Sequence, residues 1–595
     1  MSEYNLLDEP WISVVSTDYK TTKSVGLKEL FRDAHEFIAL AGDMPTQDFA
    51  VMRFLLAILH TVFSRYDAAG KAYDMLKIND RMQQVENVAE EDQEDYQNAL
   101  METWQALWND GKFPDIVNEY LEAWKDRFYL FDDKYPFYQV TEELFKDACL
   151  YANKKGSEEN DNKEYTNKNE PTSIDFKTIN RLISETGNKT AIFSMKKGKE
   201  GELTNAQLTR WIIHYMGYST TPDKTKFKSF DKITDIKKYD APKGWLYSIG
   251  GLHYETDNLF KTLLLNFIIE HPREAYKYQI QTPAWELEPK ENIKFYLKGG
   301  LIDNLARLYT DYSRAMKISY EEDKKGKKDE SVKGRGCLKI VQLPILNKKN
   351  NLLECMTIWN NGKNGKVALE NEPYKSLWRN FGMIYCKSND YENPEIVNWL
   401  NNITKYIIKD KDEIRLVAQG FESDKTASNS IKSEMHDELY LNLNITKDNS
   451  KSDCWIVRIN NIVDITKEFI ENKYEEFVNG LVELQILNSK SGKDKKKKGE
   501  EKKNKKKKYM ESIYYRIDKP FKSWMCSIKF DENKDEKEKQ WLKIFKDIIS
   551  DEIDEICCNL SNRFYIGREI EEKNKKRYVN IEILRNDLER EMGKL

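Results

Sequence analysis

The 595-residue chain carries six histidines, at 35, 60, 214, 253, 271 and 436, and eight cysteines, and their spacing decides what chemistry they could do. Two histidines one helical turn apart around a glutamate would make a zinc hydrolase site, and paired CxxC motifs would make a structural zinc site. Neither spacing occurs, so the sequence predicts no metal, no cofactor and buried thiols. His436-Asp437 is an adjacent pair with no second histidine nearby, which reads as a surface or capping histidine. Gly187-Asn188-Lys189-Thr190 ends like a phosphate-binding loop, but its lysine does not follow a glycine and position 182 is not glycine. Gly334-Arg335-Gly336 lacks the third glycine of a dinucleotide loop, and neither GxSxG nor a catalytic-cysteine signature appears. Carboxylates are abundant, and since one sequence does not say which of them converge, a metal-dependent nucleic-acid-processing enzyme stands as the alternative reading.

Three lysine-rich segments remain, at 189–199, 224–243 and 324–333. Lysines and backbone N–H groups beside small residues suit phosphate contact and groove insertion, although each segment alone could equally be a solvated turn. The formal net charge of −4 hides a concentration at 490–508, where twelve lysines face three acids, a local +9 that leaves −13 for the rest. Any nucleic-acid surface must therefore be local. Like charges at that density repel, so 490–508 is expected to loop out as an insertion.

Around these segments the apolar pattern predicts the scaffold. Residues 49–63 are apolar over most of a helical circumference, which marks a core helix, with Thr46 as its cap. A second helix is predicted from 204 or 205 to 216. The stretch 244–268, GWLYSIGGLHYETDNLFKTLLLNFI, changes from a Gly-rich turn to an apolar helix with Asp257 as its cap. Residues 318–320 and 337–345 read as strands around a turn at Gly326. Beyond Pro394, Ile462, Ile465, Phe469, Tyr474, Phe477, Leu481 and Leu484 mark one long helix, and Trp541, Phe545, Ile548, Ile549, Ile553 and Ile556 another. Shorter patterns at 396–417, 510–528 and 579–592 complete the bundle. The expected fold is α+β: a mixed α/β domain over 1–390, then an antiparallel, four-helix-type bundle over 391–595. No run of about eighteen apolar residues and no N-terminal signal pattern is present, which points to a cytoplasmic protein without a membrane partner.

The order of motifs is more specific than any one of them. NLLDEPWISV, FYLFDDKYPFYQV, the 244–268 stretch, QTPAWE, LECMTIWNN with LWRNFG, and RLVAQGF follow one another along nearly the whole chain. In that order they resemble the CasA family, the large subunit of the type I-E CRISPR surveillance complex Cascade. The resemblance implies a subunit without catalysis of its own, seated at the crRNA 5′ handle beside crRNA-bound backbone and small subunits. It implies detection of the PAM in double-stranded target DNA, a start to strand separation and R-loop formation, support of the displaced non-target strand, and recruitment of the helicase-nuclease.

The same resemblance assigns sites. The crRNA- and PAM-proximal L1 loop falls on 184–197, with Asn188, Lys189, Thr190 and Phe193 as the favoured contacts. The lysine finger falls on the turn at 324–328, as Lys325 or Lys327. The wedge follows Gly420-Phe421 and takes in Ser423, Asp424, Lys425 and Thr426. Two departures stand out: the wedge has no glutamine, and the expected glycine loop reads TTPDKTKFK over 220–228 without a glycine, which shifts PAM contact there to Lys224 or Lys226.

Overall fold

The computed structural model describes residues 3–595 except 19, 147, 152–170, 180–200, 220–224, 235, 238, 240–242, 323–333, 345–352, 364, 373–374, 408–412, 424–430, 448–452, 489–494 and 573–574. The fold is mixed α+β with several small sheets and a helical bundle late in the chain. Two compact units divide it, the first made of Met1–Pro373, Ser388–Ile407 and Leu416–Asp437, the second of Tyr374–Lys387, Ile408–Arg415 and Glu438–Leu595. The division does not fall at residue 390. The periodicity at 396–417, assigned to the bundle from sequence, is a helix at Glu395–Ile407 followed by a strand at Glu413–Ser423. That helix buries Trp399 against Trp104 of the first unit, ring centroids 5.8 Å apart, so its apolar face belongs to the earlier core.

The first unit is built around the helix Pro45–Phe63, which is buried on nearly every side. Pro45 stands at its first position and Met44 at its cap, so Thr46 is not the cap; its hydroxyl lies 3.3 Å from His214 Nε2 instead. The helix packs against Asn205–Tyr218, Leu259–Asn266, Ile116–Ala123 and Leu305–Tyr309. Among the described residues it is the one helix long and apolar enough to cross a membrane, and 94% of that window is buried inside the protein. Asn205–Tyr218 opens with a capping box, Thr204 accepting from the Gln207 N–H at 3.1 Å while Gln207 accepts from the Thr204 N–H.

The 244–268 stretch contains an element the helical pattern hid. Gly251–Glu255 is a buried strand, and the helix that follows, Leu259–Asn266, is capped by Asn258 rather than Asp257. The Asn258 side chain accepts from the Lys261 N–H at 3.0 Å and donates to the His35 carbonyl at 2.8 Å. Thr256 donates to the Asn258 carbonyl at 2.9 Å, and this turn places the cap one residue later than charge alone suggests. Gly244 has a packing reason: a Cβ there would sit 2.2 Å from the Gly217 carbonyl oxygen, where the chain crosses the helix Asn205–Tyr218.

In the second unit Trp455–Glu468, a π-helical turn at Phe469–Tyr474, and Glu475–Asn488 make one long run of helix. Glu475–Asn488 packs on Lys495–Cys526, which packs on Lys534–Cys558, and Ile581–Met592 lies against both Glu475–Asn488 and Lys534–Cys558. Trp541, fully buried, donates to Thr466 Oγ1 at 2.9 Å and meets Phe521 edge-on at 4.8 Å. The lysine-rich tract does not loop out. From Lys495 onward it is the first half of a 32-residue helix whose second half buries Ile513, Ile517, Phe521 and Met525. Repulsion along it is relieved by carboxylates: Lys502 pairs with Glu483, Lys506 with Glu475 at 2.5 Å, Lys505 with Glu501 and Lys507 with Glu511.

Candidate nucleic-acid interface

A six-stranded sheet in the first unit anchors the basic segments. Arg314–Glu322 and Gly334–Gln342 form a hairpin in unbroken antiparallel register, from Arg314 opposite Gln342 to Glu322 opposite Gly334. Lys325 and Lys327 belong to its turn, outside the described residues. On the other side of Gly334–Gln342, Thr172–Asp175 pairs with Cys337–Ile340 and leads through Phe176–Ile179 to residue 180. The chain then returns at Glu202–Leu203, opposite Arg335 and Gly334, where Arg335 and Glu202 form a 3.0 Å ion pair. Both feet of 180–200 and both feet of 323–333 therefore stand at one end of the same strand. Asn188, Lys189, Thr190 and Phe193 lie within the first segment and outside the described residues.

The third segment enters elsewhere. Lys226–Phe230 joins the sheet where Lys226 sits opposite Gln342, eight residues along the strand from Gly334, or about 26 Å. Lys226 is already engaged: its ammonium donates to the Tyr239 carbonyl and lies 5.4 Å from the Tyr239 ring centroid. Tyr239 in turn donates to the Gln342 carbonyl at 2.5 Å, so this lysine secures the sheet end. Lys224 lies outside the described residues.

The expected wedge sits on a different sheet, ordered Gly251–Glu255, Glu413–Ser423, Ile431–Asn442. Ser423 closes the first strand of the hairpin, and Asp424, Lys425 and Thr426 lie in its turn, outside the described residues. The base of the hairpin is held firmly. Phe421 packs on Tyr218 at 4.9 Å and on His214 at 5.9 Å. Ser433 donates to Glu422 across the strands at 3.0 Å, and Glu434 accepts from the Thr46 N–H at 2.9 Å. An N–H at the start of the Pro45–Phe63 helix that has no partner within the helix is thus satisfied by the hairpin.

The buried polar groups of this unit were not evident from sequence. Arg53 makes a two-pronged pair with Glu354, at 2.9 and 2.8 Å, and Trp245 donates to the same carboxylate at 2.6 Å. Arg65 does the same with Glu286, at 2.7 and 3.0 Å, with Tyr120 donating to it at 2.7 Å. The Arg53 guanidinium holds the Glu354 carboxyl below its ordinary range despite burial. Glu286 and Glu354 are the acids of QTPAWE and LECMTIWNN, so these two motifs are core motifs. A cysteine–histidine contact that looks nucleophilic, Cys355 with His271 Nε2 at 3.3 Å, is electrostatically quiet. His271 Nδ1 accepts the Arg273 N–H, burial pushes the imidazole down to about 4, and burial pushes the thiol well up. Thiolate and imidazolium are both disfavoured, the reverse of an activated cysteine. His436 is exposed on Ile431–Asn442, and among the described residues no group of three or more His, Cys, Asp or Glu could hold a metal ion.

An α+β unit with basic segments hung from one sheet end, joined in sequence to a helical bundle, defines the class. The model of the CRISPR-associated protein Cse1 family matches residues 5–551. A curated CasA/Cse1 protein of Thermus thermophilus is 29% identical over 143 residues, a region that spans 24% of this chain and 22% of that relative's length. Thermobifida fusca Cse1 is similar in structure at 21% identity and a TM-score of 0.69, with 100% of this chain and 98% of that one covered. A chain of a CRISPR RNA-guided surveillance complex is similar at 14% identity and a TM-score of 0.62, with 100% and 99% covered. The chain belongs to the CRISPR-associated protein Cse1 family.

Proposed function

We propose that this chain is the non-catalytic large subunit of a type I-E CRISPR RNA-guided surveillance complex. In this role it sits beside the crRNA 5′ handle, recognises the PAM in double-stranded DNA, opens the duplex and recruits the helicase-nuclease, all in the cytoplasm. Family membership supports the subunit role. The observation that supports the DNA-reading role is that the described residues flanking 180–200 and 323–333 stand at one end of the strand Gly334–Gln342. Lysines give phosphate contact without sequence preference, and minor-groove readout tolerates several base pairs at each position. Ser423, Asp424, Lys425 and Thr426 serve as the wedge, and the hairpin base beside them is held by Phe421 and Glu434. Driving it between base pairs costs a few kcal/mol per step, offset by backbone contacts and by the guide–target duplex that follows.

Co-expression with crRNA and the other subunits tests the assignment. The expected result is co-purification of this chain with a crRNA-loaded multi-subunit complex. Recovery as a free chain, together with DNA cleavage in Mg²⁺ or Mn²⁺ that single carboxylate substitutions abolish, would replace it with an enzyme.

A further inference from the structure

Both strands that lead to Ser423, Asp424, Lys425 and Thr426 converge on one residue of the core helix, Thr46. From Ile431–Asn442, Glu434 accepts from the Thr46 N–H at 2.9 Å. From Glu413–Ser423, Phe421 packs on the His214 ring at 5.9 Å, and His214 Nε2 lies 3.3 Å from Thr46 Oγ1. Thr46 is fully buried at the second position of Pro45–Phe63, where the helix dipole favours a negative charge. Burial pushes the Glu434 carboxyl up, and the N–H and hydroxyl of Thr46 both hold it towards its charged form. Glu413–Ser423 has a strand on each side, whereas among the described residues Ile431–Asn442 is the edge of its sheet. An edge strand has no second ladder to hold it, so a load applied at its end is resisted by side-chain contacts such as Glu434 with Thr46.

Resting on the reading of 423–426 as the wedge, we propose that the Glu434–Thr46 hydrogen bond is a positioning contact for strand separation, which passes the load of unstacking from the hairpin to the buried core helix. Base pairs being parted push back on whatever is driven between them, and a hairpin free to tilt would yield instead of opening the duplex. The basic segments 180–200 and 323–333 hang from a different sheet, so loss of this contact separates opening from binding. Glu434 touches no DNA in this role; it acts through the strand that carries it.

The test uses the complex assembled with crRNA and partner subunits and two PAM-bearing duplexes. One matches the crRNA and carries 2-aminopurine at the first base pair beyond the PAM, so that its fluorescence rises on opening; the other has an unrelated target and reports binding. Glu434→Ala is expected to slow the fluorescence rise at least about tenfold while affinity for the unrelated duplex stays within about twofold of wild type. Glu434→Gln, whose amide oxygen still accepts from the Thr46 N–H, is expected to recover most of the rate. A wild-type rate for Glu434→Ala, an equal fall in rate and affinity, or a Glu434→Gln rate as low as that of Glu434→Ala would overturn the proposal. A wild-type complex that binds the matching duplex and never opens it would refute the wedge reading and this positioning role together.

Discussion

Arg53 and Arg65 bring two positive charges into the interior of the first unit, and each is stable there only because a carboxylate meets it with both oxygens. Glu354→Gln leaves the Arg53 guanidinium without its countercharge and is expected to cost about 3–5 kcal/mol in denaturant unfolding. Replacing both partners, Arg53→Met with Glu354→Leu, is expected to recover most of that loss. These arginines were hidden in the sequence because they sit in or just after an apolar helix, and their partners lie 301 and 221 residues away. The acids themselves were visible as parts of motifs, without a sign that their role is in the core. Buried histidines give a further handle. Burial pushes His60 and His214 down to about 3 and His271 to about 4. The unfolded chain binds these protons near 6.5 and the folded chain does not, so the stability they contribute is present above 6.5 and lost as pH falls towards 4. A loss of roughly 1.4 kcal/mol per pH unit for each is expected, and His60→Phe should flatten the profile measured by unfolding between pH 6.5 and 4.

At the level of elements, the cap of Leu259–Asn266 separates two readings directly. Asn258→Ala is expected to cost about 1 kcal/mol and Asp257→Ala little, measured by chemical denaturation. Helical periodicity made the long helices legible: Pro45–Phe63, Asn205–Tyr218 and Lys534–Cys558 follow their apolar spacing closely. The strand Gly251–Glu255 was not legible, because its partner in the sheet, Glu413–Ser423, comes some 160 residues later and burial of both its faces, His253 included, leaves no apolar–polar alternation to read. The lysine tract misled for a related reason: self-repulsion is local and readable, whereas the acids that relieve it, Glu475 and Glu483, lie on another helix. Lys502→Glu with Lys506→Glu is expected to destabilise the second unit by about 1 kcal/mol, since both pairs are partly exposed, and Lys503→Glu on the solvent side by much less. Thermal unfolding of the three chains side by side measures this.

At the scale of the whole molecule, the residues that identify the family and the residues proposed to touch DNA are different sets. The first set packs, as Glu286, Trp285, Glu354 and Phe421 do. The second set falls, Ser423 and Lys226 apart, outside the described residues, in segments whose flanking strands find their partners far away in sequence, which is why spacing alone left these residues open. The stretch 244–268, prominent in the sequence, supplies a strand to the hairpin sheet and a helix to the core. The proposed DNA-reading role requires the lysines of 323–333 to contact target DNA. Lys325→Ala with Lys327→Ala, assembled with crRNA and partner subunits, should weaken binding of a PAM-bearing duplex and lower the salt slope by about two, near one per lost phosphate contact. Affinity and slope equal to wild type across several salt concentrations would contradict it.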